Sequence, residues 1–297
     1  MTAPVDEQQP IPARPEAAGF LWLDLTRKCQ LRCVHCLNDS GPGGRHGVMT
    51  RADWLRVIDQ GASSGVRAVQ LFGGEPLLHP HSLELAEHAL HRGMAVEVYS
   101  NLVHVPDLWW DVLRRVGASL ATSYYSDSPA EHNAITRRNS HARTRANISR
   151  AVTLHVPIRV GIIDCGTGQR VKHARRELTA MGVERIRADT ARPFGRAACG
   201  REPDTAGLCG RCGDGRASVG PDGMVTPCVF STWLKAGSIR EGSLEDILIG
   251  DAMAAAKALI SSSVIRRGGN GGDEDDDDDN EDECSPGFPG SECTPRN

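Results

Sequence analysis

The sequence predicts an α/β protein, a partial (β/α)6 barrel of TIM-like architecture followed by a small cysteine-rich module. Three observations lead there. Short apolar runs alternate with longer amphipathic segments from Phe20 to about Asp189, which is the signature of parallel βαβ units. The residues of unusual chemistry fall just after those runs, where enzymes of this architecture place their sites. From Pro193 the pattern gives way to the Cys/Gly-rich stretch CGREPDTAGLCGRCGDGRASVGPDGMVTPC, residues 199–228.

The six predicted strands, in order, are FLWLDL (20–25), VRAVQLF (66–72), AVEVYS (95–100), ASLATS (118–123), PIRVGII (157–163) and VERIRA (183–188). Each is a short run rich in β-branched and aliphatic residues. The first is followed by CQLRCVHC (29–36). RADWLRVIDQGAS, with Thr50 as its cap, is the first predicted helix, and the second strand then leads to GGEP (73–76). SLELAEHALHR, PDLWWDVLRRV, RTRANISRAVTLH and QRVKHARRELTAM are the remaining predicted helices. SNL (100–102), SYYSD (123–127) and DCGTG (164–168) follow the third, fourth and fifth strands. Pro221-Asp222-Gly223 marks a hairpin in the second module. The predicted divisions are a flexible N-terminus at 1–19, the barrel at 20–192, the module at 193–265, and an acidic Gly/Pro-rich tail at 266–297 that is unlikely to pack a core.

At 297 residues, 39% hydrophobic and a formal charge of −4, the chain can bury a sizeable core. It lacks the ~18-residue apolar run of a membrane span and an apolar signal segment, so a soluble, cytoplasmic protein is expected. Residues 273–283 read DEDDDDDNEDE while 137–150 carry five arginines. No basic surface studded with aromatics points to nucleic acid. Ten cysteines in an unexported chain point to metal or cluster ligation rather than structural disulfides.

Cys29, Cys33 and Cys36, crowded on one loop, can hold three corners of an iron-sulfur cubane and leave the fourth iron open to a ligand. A structural zinc completed by His35 or a distant cysteine, or buried inert thiols, are the other readings. CQLRCVHC after the first strand, followed by GGEP after the second, resembles the radical S-adenosylmethionine superfamily over residues 20–189. That resemblance implies a 4Fe-4S cluster on Cys29, Cys33 and Cys36, with its fourth iron chelated by S-adenosylmethionine. It implies reductive cleavage to a 5′-deoxyadenosyl radical, fed by an electron donor such as flavodoxin or ferredoxin. It also assigns Gly73, Gly74, Glu75 and Pro76 to the methionyl amino group. Gly73 and Gly74 leave backbone room for a ligand, Glu75 can accept from an ammonium, and Pro76 fixes the exit of the chain. Ser100, Asn101 and Ser123 are candidates for the ribose and carboxylate, or are ordinary turn residues.

The run from Cys212 through Gly223 to Cys228 resembles the opening of SPASM and twitch auxiliary-cluster domains. With Cys209 it implies an auxiliary 4Fe-4S cluster, zinc being the alternative. The dense cysteine series of a full SPASM domain is absent between Phe230 and Glu283, so a single auxiliary cluster is expected, its fourth ligand Cys199, Cys284, Cys293 or a substrate atom. Cys165, after the fifth strand, is either a hydrogen-atom donor to a substrate radical or a buried apolar residue.

Proteins with this pairing resemble maturases of ribosomally made peptides, and the segment YYSDSPAEHNAITRRNSHARTRANI resembles their counterparts. A precursor peptide and oxidative crosslinking are therefore expected. Epimerisation through Cys165, dehydrogenation of a small molecule, and a non-catalytic scaffold that binds through its acidic tail are the alternatives. The first nineteen residues are too short for a separate peptide-recognition domain, so leader recognition is expected from the barrel, the module or another protein.

Overall fold

The computed structural model describes residues 19–166 and 168–265. The predicted N-terminal segment, the acidic tail, Cys284 and Cys293 lie outside the described residues. Among the described residues nine strands form one sheet: β1 (Phe20–Asp24), β2 (Ala68–Phe72), β3 (Ala95–Tyr99), β4 (Ala118–Tyr124), β5 (Ile158–Asp164), β6 (Arg185–Thr190), β7 (Arg216–Val219), β8 (Met224–Thr226) and β9 (Gly237–Ser238). The spatial order is β6-β5-β4-β3-β2-β1-β7-β8-β9. β1 to β6 are parallel in sequence order, joined by α1 (Arg51–Ser63), α2 (Ser82–His91), α3 (Asp107–Leu113), α4 (Pro129–Thr136), α5 (His141–Thr153) and α6 (Val171–Ala180). α7 (Leu244–Ile249) and α8 (Asp251–Ile265) follow the last strand. β6 is an edge and does not pair with β1, so the barrel is open.

Burial explains the strand sequences. β1 is buried at every position, as expected of a parallel strand covered on both faces. Its alternate residues enter different cores. Leu21, Leu23 and Leu25 pack with Trp54, Val57 and Ile58 of α1 and with Leu71 and Leu85. Phe20 and Trp22 pack with Phe72, Phe194, Leu208, Cys212, Cys228 and Ile260. The concave face also holds a polar layer. Gln70 Nε2 donates to Glu97 Oε1 at 2.5 Å, and Arg159 pairs with Glu97 at 2.8 Å while lying over the Tyr99 ring. These buried polar residues in the otherwise apolar runs AVQLF and AVEVY hold one another through these bonds.

The six barrel strands lie within two residues of their predicted limits. Thr50 caps α1, its Oγ1 accepting from the Asp53 N–H at 3.2 Å while the Asp53 carboxylate accepts the Thr50 N–H. Two sequence readings change. α4 lies in a segment read only for its resemblance, because PAEHNAIT lacks a clear apolar stripe. The cysteine-rich region is also not set apart from the sheet. β7 runs parallel beside β1, and its predicted hairpin partner β8 is antiparallel to it, so this region extends the barrel sheet. No helix among the described residues is long and apolar enough to cross a membrane.

Candidate active site

Thr26 and Lys28, on the loop after β1, and Gly73 to Glu75, after β2, are laced together backbone to backbone. The Gly74 N–H donates to the Thr26 carbonyl at 2.7 Å and the Glu75 N–H to the Lys28 carbonyl at 2.9 Å. This lacing explains both glycines. A Cβ on Gly74 would stand 2.4 Å from the Lys28 oxygen, and one on Gly73, at φ +135°, 2.7 Å from the Thr26 oxygen. The strap runs directly against the cysteine loop.

Cys29, Cys33 and Cys36 line one cavity of about 180 Å³. Backbone N–H groups already address two sulfurs: Leu31 donates to Cys29 Sγ at 3.4 Å and Ser40 to Cys36 Sγ at 3.3 Å. Asn101 Nδ2 lies 3.6 Å from Cys29 Sγ, and Cys36 Sγ lies 3.2 Å from Asn38 Oδ1. Burial pushes the Cys29 and Cys33 thiols up to about 12, so a metal charge is what would make them thiolates. His35 and Asn38, on the same wall, each present a buried polar atom without a partner, Nδ1 and Nδ2 respectively. Three thiols, donors aimed at sulfur, a strap too tight for any Cβ and unpaired polar atoms fit a cluster with a small polar ligand. No three His, Cys, Asp or Glu side chains among the described residues close on a single ion, and a cubane does not require it, since each thiolate takes its own iron.

The cavity is also lined by Gly73, Gly74, Ser100, Asn101, Ser123 and Tyr125. Ser100 Oγ accepts from the Leu102 N–H at 3.0 Å, and Asn101 Oδ1 accepts from Gln30 Nε2 and the Val103 N–H, both at 2.9 Å. Ser123 Oγ bonds the Tyr99 hydroxyl at 2.9 Å. Glu75 and Pro76 stand outside the lining. The Glu75 carboxylate is fully buried and accepts from the N–H groups of Leu77 at 3.1 Å and Asn101 at 2.8 Å. It ties the end of β2 to the end of β3 and does not open toward the cavity. Burial holds it up at about 7.

Cys165 immediately follows β5, but it too lies outside the lining, its sulfur 3.7 Å from the Ile163 carbonyl oxygen. In the cysteine-rich region Cys212 Sγ lies 3.3 Å from Cys228 Sγ and 3.9 Å from Cys209 Sγ. The Phe230 N–H donates to Cys228 Sγ at 3.3 Å. Burial raises the Cys228 thiol, but hydrogen bonds from Cys212, Phe230 and Ser231 outweigh it and hold the thiol at about 7. Cys209, Cys212 and Cys228 thus form one sulfur group. Cys199 stands apart from this group: it is exposed, in left-handed backbone at φ 50°, with its thiol on the Arg196 carbonyl.

Several site residues went unnoticed in the sequence. Arg196 Nε donates to the Cys33 carbonyl at 2.7 Å, its Nη2 to the Ser40 carbonyl at 2.8 Å, and its Nη1 pairs with Asp39 at 2.5 Å. It clamps the cysteine loop from 160 positions downstream in rough terms, and nothing local in FGRAA announces that. Gly195 beside it, at φ +54°, leaves no room for a Cβ against the Cys36 and Leu37 carbonyls. Asp189, Thr190 and Arg192, at the end of β6, and Val229 and Phe230, next to Cys228, also line the cavity. The strand-end rule that found the other loops could have found residues 189–192.

A family model described as Radical SAM superfamily matches residues 23–178. The chain belongs to the radical SAM superfamily. A second, described as SPASM, an iron-sulfur cluster-binding domain, matches residues 209–286. Together they imply 4Fe-4S clusters and S-adenosylmethionine, which the two sulfur groups fit. Among curated proteins, the PqqA peptide cyclase of Methylorubrum extorquens is 35% identical over 103 residues, 35% of this chain and 26% of that protein. The PqqA peptide cyclase of Streptomyces rochei is 30% identical over 154 residues, 51% of this chain and 42% of that protein. The matches thus span less than half the length of these relatives. Among solved structures, Streptococcus suis SuiB bound to its precursor peptide SuiA superposes with a TM-score of 0.69 at 13% identity, over 83% of this chain and 67% of that one. The protein anSMEcpe with bound AdoMet gives 0.64 at 12% identity, over 82% and 83%. At these identities the structural likeness shows the shared fold.

Proposed function

We propose that this radical SAM protein modifies a ribosomally synthesised precursor peptide by hydrogen-atom abstraction, most directly forming an oxidative crosslink. The observation that carries this reading is the lining of the cavity. The loop of Cys29, Cys33 and Cys36 lines it together with Val229 and Phe230, which adjoin Cys228 of the second sulfur group. A substrate in this cavity would lie near the radical source and near residues that adjoin an electron acceptor. The relatives named PqqA peptide cyclase, and SuiB with its bound precursor, support a peptide as substrate.

When bound, the cluster and S-adenosylmethionine supply a 5′-deoxyadenosyl radical. The chain positions and shields it. Gly73 and Gly74 bring main-chain groups to the cavity edge, and Glu75 fixes the strap by holding the Leu77 and Asn101 N–H groups. Ser100, Asn101 and Ser123 offer hydroxyl and amide groups for the nucleoside and carboxylate. Tyr125, buried against His35 with ring centroids 5.1 Å apart, excludes water beside Cys33. Epimerisation would need a hydrogen donor facing the substrate, and Cys165 is not among the residues that line the cavity.

The test is anaerobic reconstitution with iron and sulfide, followed by mass spectrometry of a precursor peptide encoded beside the gene. The expected result is 5′-deoxyadenosine together with a peptide lighter by two hydrogens. Deuterium gain from deuterated water without mass loss would establish epimerisation instead, and absence of the nucleoside would overturn the assignment altogether.

A further inference from the structure

Asn101, just past β3, is held through its main chain and its side chain alike. Its N–H donates to Glu75 Oε2 at 2.8 Å, and its carbonyl accepts from Thr144 Oγ1 at 2.9 Å. Its side-chain oxygen accepts from Gln30 Nε2 and from the Val103 N–H, both at 2.9 Å. An asparagine amide can present either its oxygen or its nitrogen to a neighbour. Two donors on Oδ1 decide between them, and they turn Nδ2 toward Cys29 Sγ, 3.6 Å away. Cys29 is buried, so water does little to weaken a bond made there. Gln30 lies outside the cavity lining and leaves its own Oε1 buried without a partner among the described residues. That orphaned oxygen is a cost, accepted where the other end of the same amide fixes Asn101.

We infer that Asn101 and Gln30 tune the reduction potential of the cluster held by Cys29, Cys33 and Cys36. Asn101 acts by donating to the Cys29 sulfur, and Gln30 is a positioning residue that holds the amide in the donating orientation. The inference rests on the cluster reading above. Reduction adds one electron to the cluster, taken from a reductant that is oxidised by one, and negative charge on the ligating sulfurs rises. A donor at sulfur therefore stabilises the reduced form more than the oxidised one and raises the potential. The Leu31 N–H makes the same kind of contact to Cys29 from the main chain, but Asn101 does so with a side chain, which substitution can remove. The amide nitrogen carries two hydrogens, so one directed at Cys29 leaves the other for the nucleoside or carboxylate.

The test is a dithionite titration of the reconstituted full chain without S-adenosylmethionine, read by electron paramagnetic resonance on the signal that later addition of S-adenosylmethionine perturbs. The variants are Asn101→Leu, Gln30→Leu and the two together, with S-adenosylmethionine affinity measured alongside. In Asn101→Leu the ratio of reduced to oxidised cluster at a fixed solution potential is expected to fall roughly three- to tenfold, a downward shift of about 28–59 mV for one electron. Gln30→Leu is expected to shift the potential in the same direction by less, since the Val103 N–H still holds Oδ1, and to add nothing once Asn101 is already Leu. An unchanged potential in Asn101→Leu overturns the inference, and weakened S-adenosylmethionine binding with that unchanged potential gives the amide to the ligand alone. A further shift from Gln30→Leu in the Asn101→Leu protein overturns the positioning role. If Asn101→Leu fails to hold iron, Gln30→Leu decides by itself, and an unchanged potential there overturns the inference. Absence of any signal perturbed by S-adenosylmethionine in the unsubstituted protein sinks the cluster reading instead.

Discussion

Gly74→Ala tests the lacing of the strap to the cysteine loop. Its new Cβ would stand 2.4 Å from the Lys28 carbonyl oxygen and 2.9 Å from its carbon. Both are main-chain atoms that cannot rotate away, so the strands must part by about 1 Å to reach ordinary contact. Overpacking of this kind costs about 1–3 kcal/mol, which in a domain of this size lowers Tm by roughly 2–12 °C, so the protein remains folded. The functional effect is larger, because about 1 Å of misplacement at a reacting centre costs on the order of a hundredfold in rate. The assay is 5′-deoxyadenosine formation with dithionite, alongside thermal unfolding and S-adenosylmethionine affinity. A variant that unfolds a few degrees earlier, keeps its iron and loses most nucleoside formation agrees with the geometry. A near-native rate would refute the idea that the close approach of strap and loop positions the ligand.

Further consequences can be checked in the same preparations. Arg196→Ala removes three bonds to the cysteine loop, one of them an ion pair, at a cost of about 2 kcal/mol or more, and is expected to shorten the lifetime of the reconstituted cluster in air, followed by its visible absorbance. Cys212→Ala with Cys228→Ala is expected to lower iron content by the equivalent of one cluster while nucleoside formation survives and peptide oxidation fails. Iron content unchanged by that pair would remove the second cluster. Burial raises Glu75 from 4.5 to about 7, so its folded state favours the protonated acid: this contribution to stability is present at low pH and is lost as pH rises between those two values. Chemical denaturation of the metal-free protein should therefore show stability falling across that window, with the fall absent in Glu75→Gln.

The barrel was legible because parallel strands buried on both faces write themselves as apolar runs, and the loops after them gather the reactive residues. FLWLDL, AVEVYS and PIRVGII could be placed from composition alone. α4 could not, since PAEHNAIT owes its place to the loop it supports, where Ile135 and Thr136 receive the N–H groups of Val34 and Arg32. The role expected of Glu75 shows a different limit. A carboxylate at a strand end reads as a ligand group, yet its two oxygens are matched to backbone donors of its own and the next loop. Only coordinates reveal where a side chain points once several donors compete for it. Arg196 marks the same boundary, since a clamp reaching back from residue 196 to residues 33–40 leaves no periodic trace in sequence.

The continuity of β7 with β1 changes how the two sulfur groups relate. Had the cysteine-rich region been a separate module on a linker, the distance between the sites would vary with its docking. Instead the strand pairs along Phe20–Arg216 through Leu23–Val219 in fixed register, and the same β1 whose end launches the loop of Cys29, Cys33 and Cys36 packs Phe20 and Trp22 against Cys212 and Cys228. One strand thus anchors both groups, and they cannot drift apart without breaking the sheet. A fixed spacing suits a reaction in which hydrogen abstraction on one side must be followed by electron removal on the other before the intermediate escapes.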